Sequence, residues 1–153
     1  MPNLILVRHA AFERRRDAEG RLAERLTAEG ARQARAVGER LAALDGPRVV
    51  YASPQGRALE TARRIAEVTG NTVYADAELA ELKLRLPADE AETRSASLWA
   101  QARADVDAPP EVEAESLRAV QQHALHALRG AVAANPGTRV IAVTHAGVIE
   151  TLW

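Results

Sequence analysis

The 153-residue chain contains no cysteine. That excludes a disulfide framework, a thiol nucleophile and a cysteine-ligated metal centre. It also lacks a charge excess, with 20 basic against 21 acidic residues and a formal net charge of −1. Such a balance argues against a general nucleic-acid binder, whose footprint is a basic surplus. No apolar run nears the ~20 residues of a membrane span. The opening MPNLILVRHA has no basic segment ahead of a long apolar stretch, so no secretory signal is read there. No internal repeat, low-complexity tract or linker interrupts the sequence. The expectation is a cytoplasmic protein with neither a membrane nor a nucleic-acid partner. Its length suits one domain, spanning 1–153, rather than two, and folding at this size hides roughly two thirds of the extended chain's surface. Lysine is nearly missing as well: Lys83 is the one lysine, and the other basic residues are arginine. The alanine-rich composition suggests codon usage as the reason, so the arginine count carries no function by itself. Only arginines at special positions do, because the planar guanidinium suits phosphate and carboxylate recognition.

What is present reads as alternating strands and helices. Residues 3–8 form a short apolar run without helical period, which predicts a buried strand. Residues 10–25 are polar and arginine-rich and read as a loop, with Arg14, Arg15, Arg16 and Arg21 as a solvated charge run. Thr27 is placed to cap a helix running through Leu44, with Ala31, Ala34, Val37, Leu41 and Leu44 at spacings of three and four. Arg48 to Ala52 reads as a second strand. Ser53 at an N-cap and Pro54 at the first helical position predict a helix to about Thr69, ended by Gly70. Thr72 to Ala75 is a third strand, and residues 76–110 read as irregular or weakly helical. Glu113 to Asn135 is a long helix with its stripe at Leu117, Val120, Ala124, Leu128 and Val132. Arg139 to Thr144 is a fourth strand, followed by a turn at His145 and a final helical start. This rhythm predicts an α/β fold with a mostly parallel central sheet.

In such sheets ligands bind beyond the carboxyl ends of the strands. Three features fall there: Arg8-His9, Ser53 to Arg57, and His145. Two histidines, two arginines and a helix start make an anion site suited to phosphate. A neutral imidazole can attack phosphorus, and a carboxylic acid must then protonate the leaving oxygen. Asp76, Glu78 and Glu81 are the carboxyls near enough in the chain. Arginines and a second histidine can hold the phosphoryl charge, so the chemistry calls for no metal or other cofactor. His123 and His126 lie off the apolar stripe of their helix and are expected to face solvent. Their spacing of three is a weak zinc pattern.

At these positions the chain resembles a known family. LVRHA (6–10) is similar to the Leu/Met-Arg-His-Gly signature of the histidine phosphatase superfamily, also called phosphoglycerate mutase-like. Ser53 to Ala62 resembles its Ser-Pro-x-x-Arg-Ala-x-x-Thr-Ala block. Leu26 to Gly30 with Gln33-Ala34 resembles its Leu-Thr-x-x-Gly-x-x-Gln-Ala start, Val143 to Val148 its Val-Ser/Thr-His-Gly-Gly-Val turn, and Leu79-Ala80-Glu81 its Leu-x-Glu segment. The blocks follow the family order. The resemblance implies a three-layer α/β/α fold. It implies a phosphatase that hydrolyses phosphomonoesters without metal, with His9 as nucleophile. Arg8 and Arg57 would grip the phosphoryl oxygens, His145 would add a hydrogen bond, and Glu81 would be the general acid, with Glu78 as substitute. Ser53 belongs to the same anion-binding helix start.

The chain departs from the family pattern at Ala10 and Ala146, which stand where glycines are usual, and at Ala11-Phe12-Glu13, where a polar pair is usual. It also ends eight residues past His145, where relatives continue through a helix and often a strand. The expected substrate is a small phosphorylated metabolite. One alternative is a phosphohistidine phosphatase acting on a protein partner, suggested by Arg25 before Leu26-Thr27. The other is a phosphate-binding module without turnover, suggested by Ala10, Ala146 and the early end. A mutase would need a larger middle segment to enclose its substrate. Phe12, Trp99 and residues 85–108 are read either as a cover over the site or as ordinary packing.

Overall fold

The computed structural model describes residues 3–83, 91–110 and 114–153. The apolar run near the amino terminus forms β1 (Leu4–Arg8), and two further runs form β4 (Arg48–Ala52) and β6 (Arg139–Thr144); β5 (Val73–Ala75) is shorter. These four build one sheet in the order β1-β6-β4-β5. All its pairings are parallel, with Ile141 of β6 standing between Ile5 and Val50. Successive side chains of a strand point to opposite faces, and the core divides accordingly. Ile5, Val7, Val50, Ala52, Ile141 and Val143 face one way, onto α1 (Ala28–Ala42) and α2 (Gly56–Thr69). Leu4, Leu6, Tyr51 and Ala142 face the other, onto Ala127 and Leu128 of α4 (Leu117–Ala134). The result is the expected three-layer α/β/α arrangement. A further apolar cluster joins α4 to Ala102 of α3 (Ala91–Ala104) and Val148 of α5 (Ala146–Thr151). No helix among the described residues is long and apolar enough to cross a membrane.

Several boundaries differ from the sequence expectation. Thr27 does cap α1, accepting the Gly30 amide at 3.0 Å, but the helix ends at Ala42 rather than Leu44. The second helix begins at Gly56 with Gln55 as its cap, not at Ser53-Pro54; the Ser53 hydroxyl accepts the Gln55 amide at 3.3 Å, ahead of the helix. The long helix starts at Leu117, where Ser116 accepts the Ala119 amide; the expected start at Glu113 lies outside the described residues.

The largest correction concerns residues 10–25. Instead of a loop they contain an antiparallel hairpin, β2 (Phe12–Arg16) and β3 (Leu22–Leu26). Its strands carry charge on both faces, so no apolar alternation announces them. Ion pairs hold it: Arg14 with Glu24 at 3.3 Å across the strands, and Arg15 with Glu13 along one. Asp17 closes the turn by accepting the amides of Glu19 and Arg21. Arg14, Arg15, Arg16 and Arg21 are exposed to solvent as expected, but they stand on a structured hairpin rather than on a loop.

Candidate active site

β1, β4 and β6 end side by side, and their ends carry the residues in question. The His9 amide donates to the Thr144 carbonyl, and the Ser53 amide to that of Val143, so ladder bonds continue past the strand ends. The His9 ring follows from its one hydrogen bond. Its Nδ1 lies 2.9 Å from the Ala10 carbonyl oxygen. A carbonyl only accepts, so Nδ1 carries the proton and Nε2 keeps its lone pair. Burial lowers the His9 pKa below the ordinary 6.5, and the charges of Arg57 and Arg8 lower it further. Ala10 itself is buried, and its amide donates to Thr61 Oγ1, which donates in turn to the Arg57 carbonyl. Ala10, at the position where the resemblance expects glycine, is thus buried and tied to α2 through its backbone amide.

His145 is fully buried at the end of β6. Its Nε2 lies 2.8 Å from Ser53 Oγ, which also accepts the Gln55 amide. The buried Ser53 hydroxyl has no other acceptor among the described residues, so satisfying it requires donation to Nε2. The His145 proton then sits on Nδ1, and Nδ1 has no hydrogen-bond partner among the described residues. Burial, Arg57 and His9 together lower the His145 pKa to about 3, so the ring is neutral. The two imidazole centroids are 5.3 Å apart.

Arg57, in the first turn of α2, is buried. Its Nη1 donates to Glu24 Oε1 at 2.6 Å and its Nη2 to Gln55 Oε1 at 3.3 Å. Gln55 Oε1 also accepts the Glu81 amide, tying Arg57 to the third crossover. Burial raises the Glu81 pKa above 4.5; Arg57 and the amides of Leu82 and Gly147 oppose that rise, and Glu150 adds to it. Its Oε1 makes no hydrogen bond among the described residues. A Cβ on Gly147 would collide with that oxygen and with the Trp99 ring. A side chain at 147 would have to displace these side-chain ends, whereas Ala146 lines the cavity beside Glu81 and Trp99.

The other expected residues are placed differently. Glu78 turns to α4, where its carboxylate pairs with His126 at 3.5 Å. Asp76 accepts the Glu78 amide. Arg8 is exposed beside His9, without a hydrogen bond among the described residues. Arg25 is not brought to the others: it neighbours Glu24 on β3 and so points to the opposite face of the hairpin, opposite Glu13. His126 is exposed as expected, but His123 is not. Its Nδ1 donates to the Glu78 carbonyl at 2.6 Å and its Nε2 lies 3.2 Å from Glu115. Phe12 packs edge-on against His9 and beneath the Arg57 guanidinium. Sequence reasoning missed Glu24 and Gln55. Gln55 lies inside a quoted motif at a variable position, and Glu24 lies in a hairpin without apolar signal. Among the described residues no three His, Asp or Glu side chains gather as metal ligands.

Comparison with known proteins agrees with the fold. The model of the histidine phosphatase superfamily, branch 1, matches residues 4–153. Phosphoglycerate mutase-like protein 4 of Arabidopsis thaliana is 31% identical over 160 residues, covering 98% of this chain and 69% of that protein. The structure of Bacillus stearothermophilus YhfR superposes with a TM-score of 0.76 at 30% identity, covering 97% of this chain and 76% of that one. A mycobacterial glucosyl-3-phosphoglycerate phosphatase in complex with VO3 gives a TM-score of 0.76 at 26% identity, over 97% and 77% of the two chains. The chain belongs to branch 1 of the histidine phosphatase superfamily.

Proposed function

We propose that this protein hydrolyses phosphomonoesters through a phosphohistidine formed on Nε2 of His9. The observation that carries this reading is the state of the two imidazoles beside buried Arg57. The Ala10 carbonyl holds the His9 proton on Nδ1, and the Ser53 hydroxyl, by occupying Nε2 of His145, leaves that ring's proton on Nδ1; burial lowers the pKa of both rings. His9 thereby offers a lone pair to phosphorus, and His145 offers an N–H to a phosphoryl oxygen. Arg57 and Arg8 neutralise the phosphoryl charge. Attack by Nε2 forms the N–P bond as the ester P–O bond breaks, and Glu81 gives its proton to the leaving alcohol. The raised Glu81 pKa suits that donation. The Glu81 carboxylate then takes a proton from water, whose oxygen attacks phosphorus, and inorganic phosphate leaves with His9 restored. No step assigns work to a metal or an organic cofactor.

A cavity of about 570 Å³ opens beside His9, lined by Arg8, Ala10, Phe12 and Gln33 among others. Arg57, Glu81 and His145 do not line it, so its size sets no bound on the substrate, which we take to be a small phosphorylated metabolite. The mycobacterial neighbour is named a phosphatase, which supports hydrolysis over transfer. Hydrolysis of an aryl phosphate with chelator present, at pH 5–8, tests the reading. Wild type is expected to release inorganic phosphate, and His9→Ala to release none. Retained turnover in that variant removes the mechanism. A folded wild type that binds phosphate without turnover makes the protein a binding module.

A further inference from the structure

Glu24 reaches the site from the β2–β3 hairpin. Its Oε1 lies 2.6 Å from Arg57 Nη1, and its Oε2 accepts the Arg57 backbone amide at 3.3 Å. Both side chains are largely buried, at 9% exposure for Arg57 and 16% for Glu24. A guanidinium and an amide of a helix's first turn are the partners an oxyanion would use there. The hairpin is seated closely. The Leu26 amide donates to the Glu60 carboxylate at 2.9 Å. A Cβ on Gly56 would stand 3.1 Å from the Glu24 carbonyl oxygen and 3.2 Å from its Cβ, close enough to press on the strand. On the outer side Arg14, opposite Glu24 in the hairpin register, donates Nε and Nη2 to the same Oε1 at 3.4 and 3.3 Å. Glu24 therefore stands between a buried and an exposed guanidinium.

We propose that Glu24 is an internal ligand of Arg57 which an arriving phosphoryl group must displace, and that it sets how weakly the site holds phosphate. The inference rests on reading Arg57 as phosphoryl-binding. A phosphate dianion approaching Arg57 meets a carboxylate of like charge that already occupies its donors. Arg14 gives the displaced carboxylate a second partner outside the site. Affinity shared equally by substrate, transition state and product does not speed the chemical step; a carboxylate that weakens it eases release of inorganic phosphate. Glu24 is in this sense a positioning and affinity-setting residue, acting through Arg57.

The test is the Kd for inorganic phosphate, by calorimetry, of wild type, Glu24→Gln, Arg57→Ala and the double variant, together with kcat and KM for an aryl phosphate in the first two. Glu24→Gln keeps the shape and removes the charge. It is expected to bind phosphate roughly tenfold more tightly, as loss of a nearby like charge dictates, and to lower KM without raising kcat. Arg57→Ala is expected to weaken phosphate binding in both backgrounds. Unchanged or weaker binding in Glu24→Gln, with Arg57→Ala still harmful, overturns the inference and leaves the site reading intact. An Arg57→Ala variant that binds phosphate as wild type does overturns that reading. Glu24→Ala replaces Glu24→Gln if the amide variant fails to fold, with the same expected direction.

Discussion

At the residue scale, a single hydroxyl decides how the second histidine works. Ser53 spends its proton on His145 Nε2, so the ring is held neutral with its N–H on the other nitrogen. Being fully buried and next to Arg57 and His9, that ring cannot take up a second proton at ordinary pH. Linkage fixes the sign of the consequence. The folded-state pKa of about 3 lies below the ordinary 6.5, so below pH 6.5 the unfolded chain binds a proton that the folded chain refuses. Stability is expected to fall as pH drops from 6.5 towards 3 and to level off below that. Thermal melts of wild type and His145→Gln across this range check it, since the variant loses this part of the acid sensitivity. A His145→Gln profile parallel to wild type would place the acid sensitivity on other groups. His145 and Ser53 were legible in the sequence as residues, through their motifs. Their bond was not, because it joins positions 92 apart in the chain.

At the scale of elements, local chemistry determined what could be read. Helices with an apolar stripe and a capping hydroxyl, such as α1 with Thr27, appear where expected. The hairpin does not, because its strands are stabilised by charge pairing and a side-chain-closed turn rather than by an apolar face. Asp17 and Gly20 were the available turn signal, yet turn residues alone do not tell a hairpin from a loop. Glu24 was hidden for the same reason, since only a strand register distinguishes it from Arg25. The junction of α3 with α5 is the element most open to test. Trp99 and the Glu81 carboxyl both press on Gly147, and Arg103 pairs with Glu150 at 2.9 Å beside them. Gly147→Ala is expected to destabilise the fold by about 1–3 kcal/mol through overpacking. It is also expected to lower activity further by moving Glu81. Denaturant melts and kinetics on the same sample separate the two effects. A variant with wild-type stability and turnover would show that α3 is loosely seated.

At the scale of the whole molecule, the parallel sheet was the most legible feature, because each strand is a short apolar run between turn signals. What patterning could not give is the strand order. β6 is buried along its whole length and is bonded on both sides, to β1 and to β4. Ile141 sits at its middle, fully buried. Ile141→Ala is expected to cost about 2–5 kcal/mol. Activity and fluorescence should be lost together in one denaturant transition, because β1 and β4 are both bonded to this strand. Separate transitions by the two probes would show the layers to be independent.

The same strand order bears on how the protein is made. β1 and β4 leave the ribosome early, yet they touch each other only through β6, whose residues begin at position 139. Until β6 is made, β1 and β4 therefore each lack a sheet neighbour, and their apolar faces stay incompletely covered. Arg8-His9 and Ser53 to Arg57 acquire their mutual geometry when β6 takes its place between β1 and β4. A nascent chain stalled before residue 139 holds His9 and Arg57, but not the frame that joins them.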